Sequence, residues 1–202
     1  VNNAAKDYFD SQFSGPDSKQ GAGEVTSYNG TPDIMTISGT FFEFLKPKPE
    51  QIRIEDIAHA LSFTCRFSGH ISEFYSVAEH CVRVSLICDP NDYLWGLLHD
   101  ASEAYLTDIP SPIKRHLPRY RKMEKTVQTT IIQRFDLPEA EPESVRKADK
   151  IMLATEARDL CAPGWEYWGL PYPPLPTKIR PWSPQRAKDR FLEVFAGLGS
   201  KA

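Results

Sequence analysis

Four polar residues in this chain have side chains that bind divalent metals, and each stands inside an otherwise apolar pattern. They are His80, His99, Asp100 and Asp149. His99 and Asp100 adjoin one another in the run Tyr93–Leu106. There Leu94, Trp95, Leu97, Leu98, Ala101, Ala104 and Tyr105 recur at helical spacing. Burying two such groups in an apolar run is costly without partners. The plain alternative is a partly exposed helix edge with a hydrogen-bonded histidine. Two imidazoles and two carboxylates, drawn from three separate helices, make a mixed nitrogen and oxygen set. That set suits Mn, Co, Ni, Fe or Zn better than Ca, with Mg as a further candidate. A bound ion of this kind lowers the pKa of a coordinated water and neutralises phosphate oxygens. Glu103, four residues after His99, shares its helical face and is within reach for proton transfer through that water; otherwise it is a solvated helix carboxylate.

The elements that must position these groups are mostly helical. Residues 1–32 are rich in Gly, Ser, Asn and Asp and read as a flexible N-terminal arm. Residues 33–202 read as a single domain. Ile34–Ile37 and Thr40–Phe44 alternate around Ser38-Gly39, which predicts a small hairpin lying against helices. Ile54, Ile57, Ala58 and Leu61 form the stripe of a short helix. Ser76-Val77-Ala78-Glu79 reads as a reciprocal capping box, opening a helix to about Cys88 with His80 in its first or second turn. Asp89-Pro90-Asn91-Asp92 breaks the chain before the Tyr93–Leu106 helix. Further helices are predicted over Tyr120–Phe135, over Pro142–Leu160 with Pro142 at its first position, and from Ser183-Pro184 to Phe195. Cys161–Pro181 is proline- and aromatic-rich and reads as a surface wrap. The predicted class is all-α: a helical bundle with a small N-terminal hairpin and this C-terminal wrap.

Composition narrows the function. The 202 residues carry a net charge of −3 and 25% charged residues, which argues against a duplex nucleic acid or a membrane surface as partner. No apolar run approaches a membrane span, and no signal-peptide pattern opens the chain. Cys65, Cys81, Cys88 and Cys161 form no CxxC pair and read as small core residues in a reducing cytoplasm. His59, His70 and His116 lack partners at ligand spacing. Trp165, Tyr167, Trp168 and Tyr172 read as packing for a loop or a subunit contact rather than a base-stacking surface.

His80, then the His99-Asp100 dipeptide, then Asp149 on a later helix resembles the HD-domain metal-dependent phosphohydrolases. The phrases Ile54-Glu55-Asp56-Ile57-Ala58-His59-Ala60-Leu61-Ser62, Cys65-Arg66-Phe67, Tyr75-Ser76-Val77-Ala78-Glu79-His80 and Leu97-Leu98-His99-Asp100 are most similar to its compact bacterial and phage branch. That branch holds the 5′-deoxynucleotidases and the phage dATP triphosphohydrolases. The resemblance covers about residues 33 to 195. It implies an all-α fold with one divalent ion held by His80, His99, Asp100 and Asp149, and it places the catalytic acid at Glu103. It also implies that Asp108 bonds the sugar 3′-hydroxyl, Arg66 reaches the phosphate and Phe67 packs near the sugar or base. Lys114 and Arg115 are then candidate ligands for a longer polyphosphate. Taken alone, Asp108 is an ordinary turn former, and Lys114-Arg115 a solvated basic turn. The expected activity is hydrolysis of 2′-deoxynucleoside 5′-phosphates. The alternatives are a dATP-type triphosphohydrolase with the same site, helped by the basic cluster Lys114, Arg115, Arg119, Arg121 and Lys122, and a nucleotide-sensing module with a degenerate site. A homo-oligomer is the assembly this resemblance implies.

Overall fold

A computed structural model describes residues 33–199, and these are mainly helical. The expected N-terminal arm, residues 1–32, lies outside the described residues. The hairpin forms, with strands β1 (Ile34–Met35) and β2 (Phe41–Phe42) antiparallel and Ile34 opposite Phe42. Its strands are shorter than the alternation predicts. Thr36–Gly39 closes as a tight turn, with Gly39 N donating to Thr36 O at 3.0 Å. Gly39 has φ of +80°, a conformation glycine adopts without steric cost.

Helix α1 (Ile54–Phe63) holds that hairpin in place. Asp56 is buried in its first turn. Its carboxylate accepts from Thr36 Oγ1 at 2.9 Å, Ser38 N at 2.9 Å and Ser38 Oγ at 2.8 Å. On β2, Phe42 is fully buried and stacks on Tyr105 at 3.9 Å between ring centroids. Two strands alone would be marginal, so these side-chain contacts stabilise the hairpin more than its own ladder does.

The central element is helix α2 (Val77–Ile87), which packs against α1 and against helices that follow it in the chain. Val77, Ala78, Cys81, Val82 and Val84 are buried on it, and so are Glu79, His80 and Ser85. A helix buried this fully belongs to the interior, and its polar residues must find partners there. Ser76 caps it as expected, accepting from Glu79 N at 3.1 Å. The reciprocal half of the box is absent. Burial draws the Glu79 carboxylate inward, where it takes Arg83 Nη2 at 2.7 Å and Trp182 N at 2.7 Å.

Helix α3 (Tyr93–Leu98) lies on α2. Its Gly96 permits the approach, because a Cβ there would stand 2.9 Å from Ser85 Cα. The single helix expected over Tyr93–Leu106 is divided. A turn at His99–Ser102 separates α3 from α4 (Glu103–Leu106), and hydrogen bonds there shorten to three-residue spacing, such as Ala101 N to Leu98 O at 3.1 Å. A short helix α5 (Ser111–Lys114), not anticipated, follows the Asp108-Ile109-Pro110 stretch.

Helix α6 (Pro118–Arg134) buries Val127 and Ile131. Helix α7 (Glu143–Leu160) begins one residue after Pro142, which occupies the cap rather than the first helical position. Helix α8 (Pro184–Gly199) lies against α1, α2 and α3, burying Ala187 and Phe191. The proline-rich wrap is irregular apart from a 3-10 turn at Trp165–Trp168. It docks on α7 by polar contacts: Leu175 N donates to Thr155 Oγ1 at 2.9 Å, and Ile179 N to Asp159 Oδ2 at 2.7 Å. All four cysteines are free. Among the described residues no helix is long and apolar enough to cross a membrane.

Asp56→Ala removes three hydrogen bonds to one buried carboxylate. We expect a loss of about 2–4 kcal/mol in urea unfolding, because charged acceptors of this kind contribute about 1.5–3 kcal/mol per bond before compensation. A change below about 0.5 kcal/mol would show that the hairpin is held by Phe42 alone.

Candidate metal centre

The four residues singled out by sequence come together. His80 projects from the end of the first turn of α2, His99 and Asp100 from the break after α3, and Asp149 from the first half of α7. His80 Nε2 lies 3.1 Å from His99 Nε2, 3.3 Å from Asp149 Oδ1 and 3.6 Å from Asp100 Oδ2. His99 Nε2 lies 3.3 Å from Asp100 Oδ2. The His80 and His99 side chains are interior, while those of Asp100 and Asp149 are half-buried, so the cluster is open on the carboxylate side.

The protonation of the two rings follows from what their other nitrogens touch. His80 Nδ1 is 2.6 Å from Glu156 Oε1, and His99 Nδ1 is 2.8 Å from the carbonyl of Gly96. Both partners are acceptors, so each Nδ1 carries the proton. In the neutral rings each Nε2 then presents a lone pair, and the two lone pairs face each other across 3.1 Å with two carboxylate oxygens beside them. Electron-rich atoms this close repel one another unless positive charge, as a proton or a metal ion, stands among them. The residues therefore fit a divalent cation, and their outer hydrogen bonds are of the kind that orient metal-binding imidazoles. The same crowding acts on the titration of the rings. Burial and the Arg66 charge push the His80 pKa down, but Glu156 and Asp149 overcome them and hold it above the ordinary imidazole value. Asp100 and His99 act on each other likewise: burial opposes both charges, yet His99 rises and Asp100 falls well below the carboxylate range.

Glu156 is the residue that sequence reading missed. It is fully buried on α7, seven residues and two helical turns beyond Asp149. Its second oxygen accepts from Arg66 Nε at 3.0 Å. Burial alone would raise its pKa, but the Arg66 and His80 charges hold it below the usual range. A glutamate on the same helical stripe as Asp149, Met152 and Thr155 was the available signal. Cys81 Sγ also lies near His99 and Asp100. Burial pushes that thiol's pKa up, so it is a poorer anionic ligand than the carboxylates.

Arg66 reaches the cluster because its loop is tied to the start of α2. Cys65 and Ser76 form an isolated antiparallel bridge, and Arg66 N donates to Tyr75 O at 3.0 Å. The Arg66 Nη1 is 3.5 Å from Asp100 Oδ2. Phe67 and Ser68 have φ of 55° and 51°, a left-handed conformation uncommon outside glycine. Phe67 meets Trp168 at 6.2 Å between centroids, whereas Tyr167 is 93% exposed.

Glu103 is buried at the start of α4, with Oε1 3.3 Å from Lys114 Nζ. Its Oε2 has no hydrogen-bond partner among the described residues. Burial, then Asp100 and Asp108, push its pKa well above the carboxylate value, against the pull of Lys114 and Arg66. Asp108 is half-buried, and burial likewise raises its pKa while Arg66 lowers it. Lys114 is engaged twice, since Glu124 Oε1 stands 2.6 Å from the same ammonium. Arg115 is exposed. Arg119 and Lys122 line a cleft of about 330 Å³ with Phe44, Leu45, Met123 and Thr126, which no member of the metal-competent cluster borders. His70 and His116 are exposed, and His59 meets Phe63 in a tilted contact at 4.9 Å between ring centroids.

Fold and site together define a helical protein with a candidate divalent-metal centre. The sequence is 42% identical to the uncharacterized protein YfdR of Escherichia coli (strain K12), over 82% of this chain and 94% of that protein. The chain belongs to the family of YfdR. It is 35% identical to an uncharacterized protein of Rhodobacter capsulatus, over 60% of this chain and 67% of that protein. It is also similar to the 5′-deoxynucleotidase yfbR of Photorhabdus temperata, at 28% identity over 55% of this chain and 54% of that enzyme, so the chain spans about half of that enzyme's length. No protein-family model matches the chain.

Glu156→Gln keeps the side-chain shape and removes the charge that His80 and Arg66 share. We expect Mn²⁺ affinity, measured by titration calorimetry, to fall about 10- to 100-fold with the fold retained. Unchanged affinity would show that Glu156 does not orient His80.

Proposed function

We propose that this protein is a metal-dependent nucleotide phosphohydrolase of the HD-domain type, acting on 2′-deoxynucleoside 5′-monophosphates. The observation that carries the reading is the convergence of His80 Nε2 and His99 Nε2, 3.1 Å apart, beside Asp100 and Asp149. The partial similarity to 5′-deoxynucleotidases supports the substrate class.

His80, His99, Asp100 and Asp149 would hold the ion, with Mn, Co, Fe, Ni or Zn suited to this donor set and Mg a further candidate. When bound, such an ion supplies an acidified water and charge neutralisation at phosphate. The protein's own residues do the rest. Arg66 presents a guanidinium fixed by Glu156 at the edge of the cluster, where it meets a phosphate dianion. Glu103 keeps its proton above the usual carboxylate range because it is buried among other acids, so it is equipped to protonate a departing alkoxide from the unpartnered Oε2. Asp108 is available to accept from a sugar 3′-hydroxyl, and Phe67 packs beside sugar or base.

The placement of the basic residues favours a monophosphate over a triphosphate. Lys114 is committed to Glu103 and Glu124, and Arg119 and Lys122 belong to the separate cleft. The small nucleotide is the expected partner, and a homo-oligomer remains the expected assembly.

The test is product analysis on deoxynucleoside and ribonucleoside mono- and triphosphates after chelator treatment. Turnover should be absent without metal and return with Mn²⁺ or Co²⁺, releasing inorganic phosphate from deoxynucleoside monophosphates. Glu103→Ala should keep the metal and lose about 10²- to 10⁴-fold in kcat. Asp108→Ala should erase discrimination against ribose. Release of triphosphate from dNTPs would move the assignment to the triphosphohydrolase alternative. Metal binding with no turnover on any nucleotide would sink the enzyme reading.

A further inference from the structure

On α6, Tyr120, Glu124 and Gln128 recur every four residues and so share one helical face. Tyr120 and Gln128 bond the segment from Leu98 to Thr107 that carries His99, Asp100 and Glu103, and Glu124 reaches it through Lys114. Tyr120 donates its hydroxyl to the carbonyl of Thr107, just beyond α4. Glu124 holds Lys114, which in turn meets Glu103. Gln128 makes the most unusual contact. Its Nε2 donates to Leu98 O at 3.0 Å, and its Oε1 accepts from Ser102 N at 3.2 Å.

In an unbroken α-helix, Ser102 N–H would bond Leu98 C=O directly, four residues back. Here the amide of Gln128 stands between the two groups and satisfies both. A side chain inserted into the ladder is one of the few physical causes of a sharp helix break. The flanking hydrogen bonds respond by tightening: Ala101 N reaches Leu98 O at 3.1 Å and Glu103 N reaches Asp100 O at 3.0 Å. The break falls between Leu98 and Ser102, and the residues inside it are His99, Asp100 and Ala101.

We propose that Gln128 is a positioning residue: its inserted side-chain amide holds the helix open at His99–Ser102 and so sets where Asp100 and Glu103 stand relative to His99. Without the insertion, Ser102 N–H has no partner and the simplest remedy is closure onto Leu98 C=O. Closure would restore one continuous helix, in which adjacent side chains diverge by about 100°. Asp100 would then turn away from the point His99 faces, and Glu103 would rotate with it. The functional consequence rests on the site assignment given under Proposed function; the structural consequence does not.

Gln128→Met tests this, because methionine matches the length of glutamine and offers no hydrogen bond to either group. We expect its crystal structure to show Ser102 N bonded to Leu98 O and one helix from Tyr93 to Leu106. With Mn²⁺ and a deoxynucleoside monophosphate we expect kcat to fall about 10- to 100-fold, the scale of a small misplacement, with KM within about twofold and the thermal midpoint nearly unchanged. Gln128→Glu keeps the shape and, when ionised, only the bond from Ser102; its kcat should fall between wild type and Gln128→Met. A retained break in Gln128→Met, or wild-type kcat in both variants, overturns the proposal. Loss of kcat matched by an equal loss of thermal stability also overturns it. If the wild-type protein proves inactive on nucleotides, the site assignment fails, and the variant crystal structure still decides the role of Gln128.

Discussion

Concentrated negative potential inside a helical core is the constraint on which the rest of this structure depends. His80 Nε2 stands within 3.1–3.6 Å of His99 Nε2 and of one carboxylate oxygen each from Asp100 and Asp149, where three helical segments meet. Such an arrangement is unfavourable by itself, both by repulsion and by desolvation. It persists because surrounding groups over-determine it. Glu156 and Gly96 lock the rings from behind, and the Arg66 loop is strapped to the helix start. The hydrophobic clusters built on Ile57, Leu61, Cys81, Leu97 and Val127, and on Tyr75, Trp95, Val145 and Met152, supply the stability against which this local cost is set.

The second organising feature is the division of labour among the helices. Helix α2 contributes one ligand candidate and the buried apolar residues Val77, Ala78, Cys81, Val82 and Val84, while α7 contributes Asp149 and, two turns on, Glu156. Helix α6 contributes no candidate ligand. Its apolar residues Val127 and Ile131 face the core, and its polar face holds the segment from Leu98 to Thr107. A site built this way has its reactive groups on one set of elements and their alignment set by another.

Much of this was legible in the sequence because apolar periodicity and residue chemistry are local signals. The helices around Ile57, Val77, Val127 and Ala148 follow from spacing, and the hairpin from its turn residues. The four metal-competent residues stand out as polar groups in apolar stripes, and the structure brings them together. What escaped depends on contacts between distant segments. The helix break at His99–Ser102 is invisible locally because Gln128, 26 residues beyond Ser102, causes it. Glu79 fits the capping-box spacing, yet Arg83 and the Trp182 backbone claim its carboxylate. Glu156 is one of two glutamates in a helix of mixed charge until its burial is known. Lys114 reads as a free phosphate ligand until Glu103 and Glu124 are seen on either side of it.

The most direct measurement of the central claim is an anomalous difference map from crystals grown with Mn²⁺ and collected at the manganese absorption edge. The account expects one strong peak bonded to His80 Nε2, His99 Nε2, Asp100 and Asp149. A map with no peak there, or a peak held by other residues while these four side chains stay as they are, would contradict it.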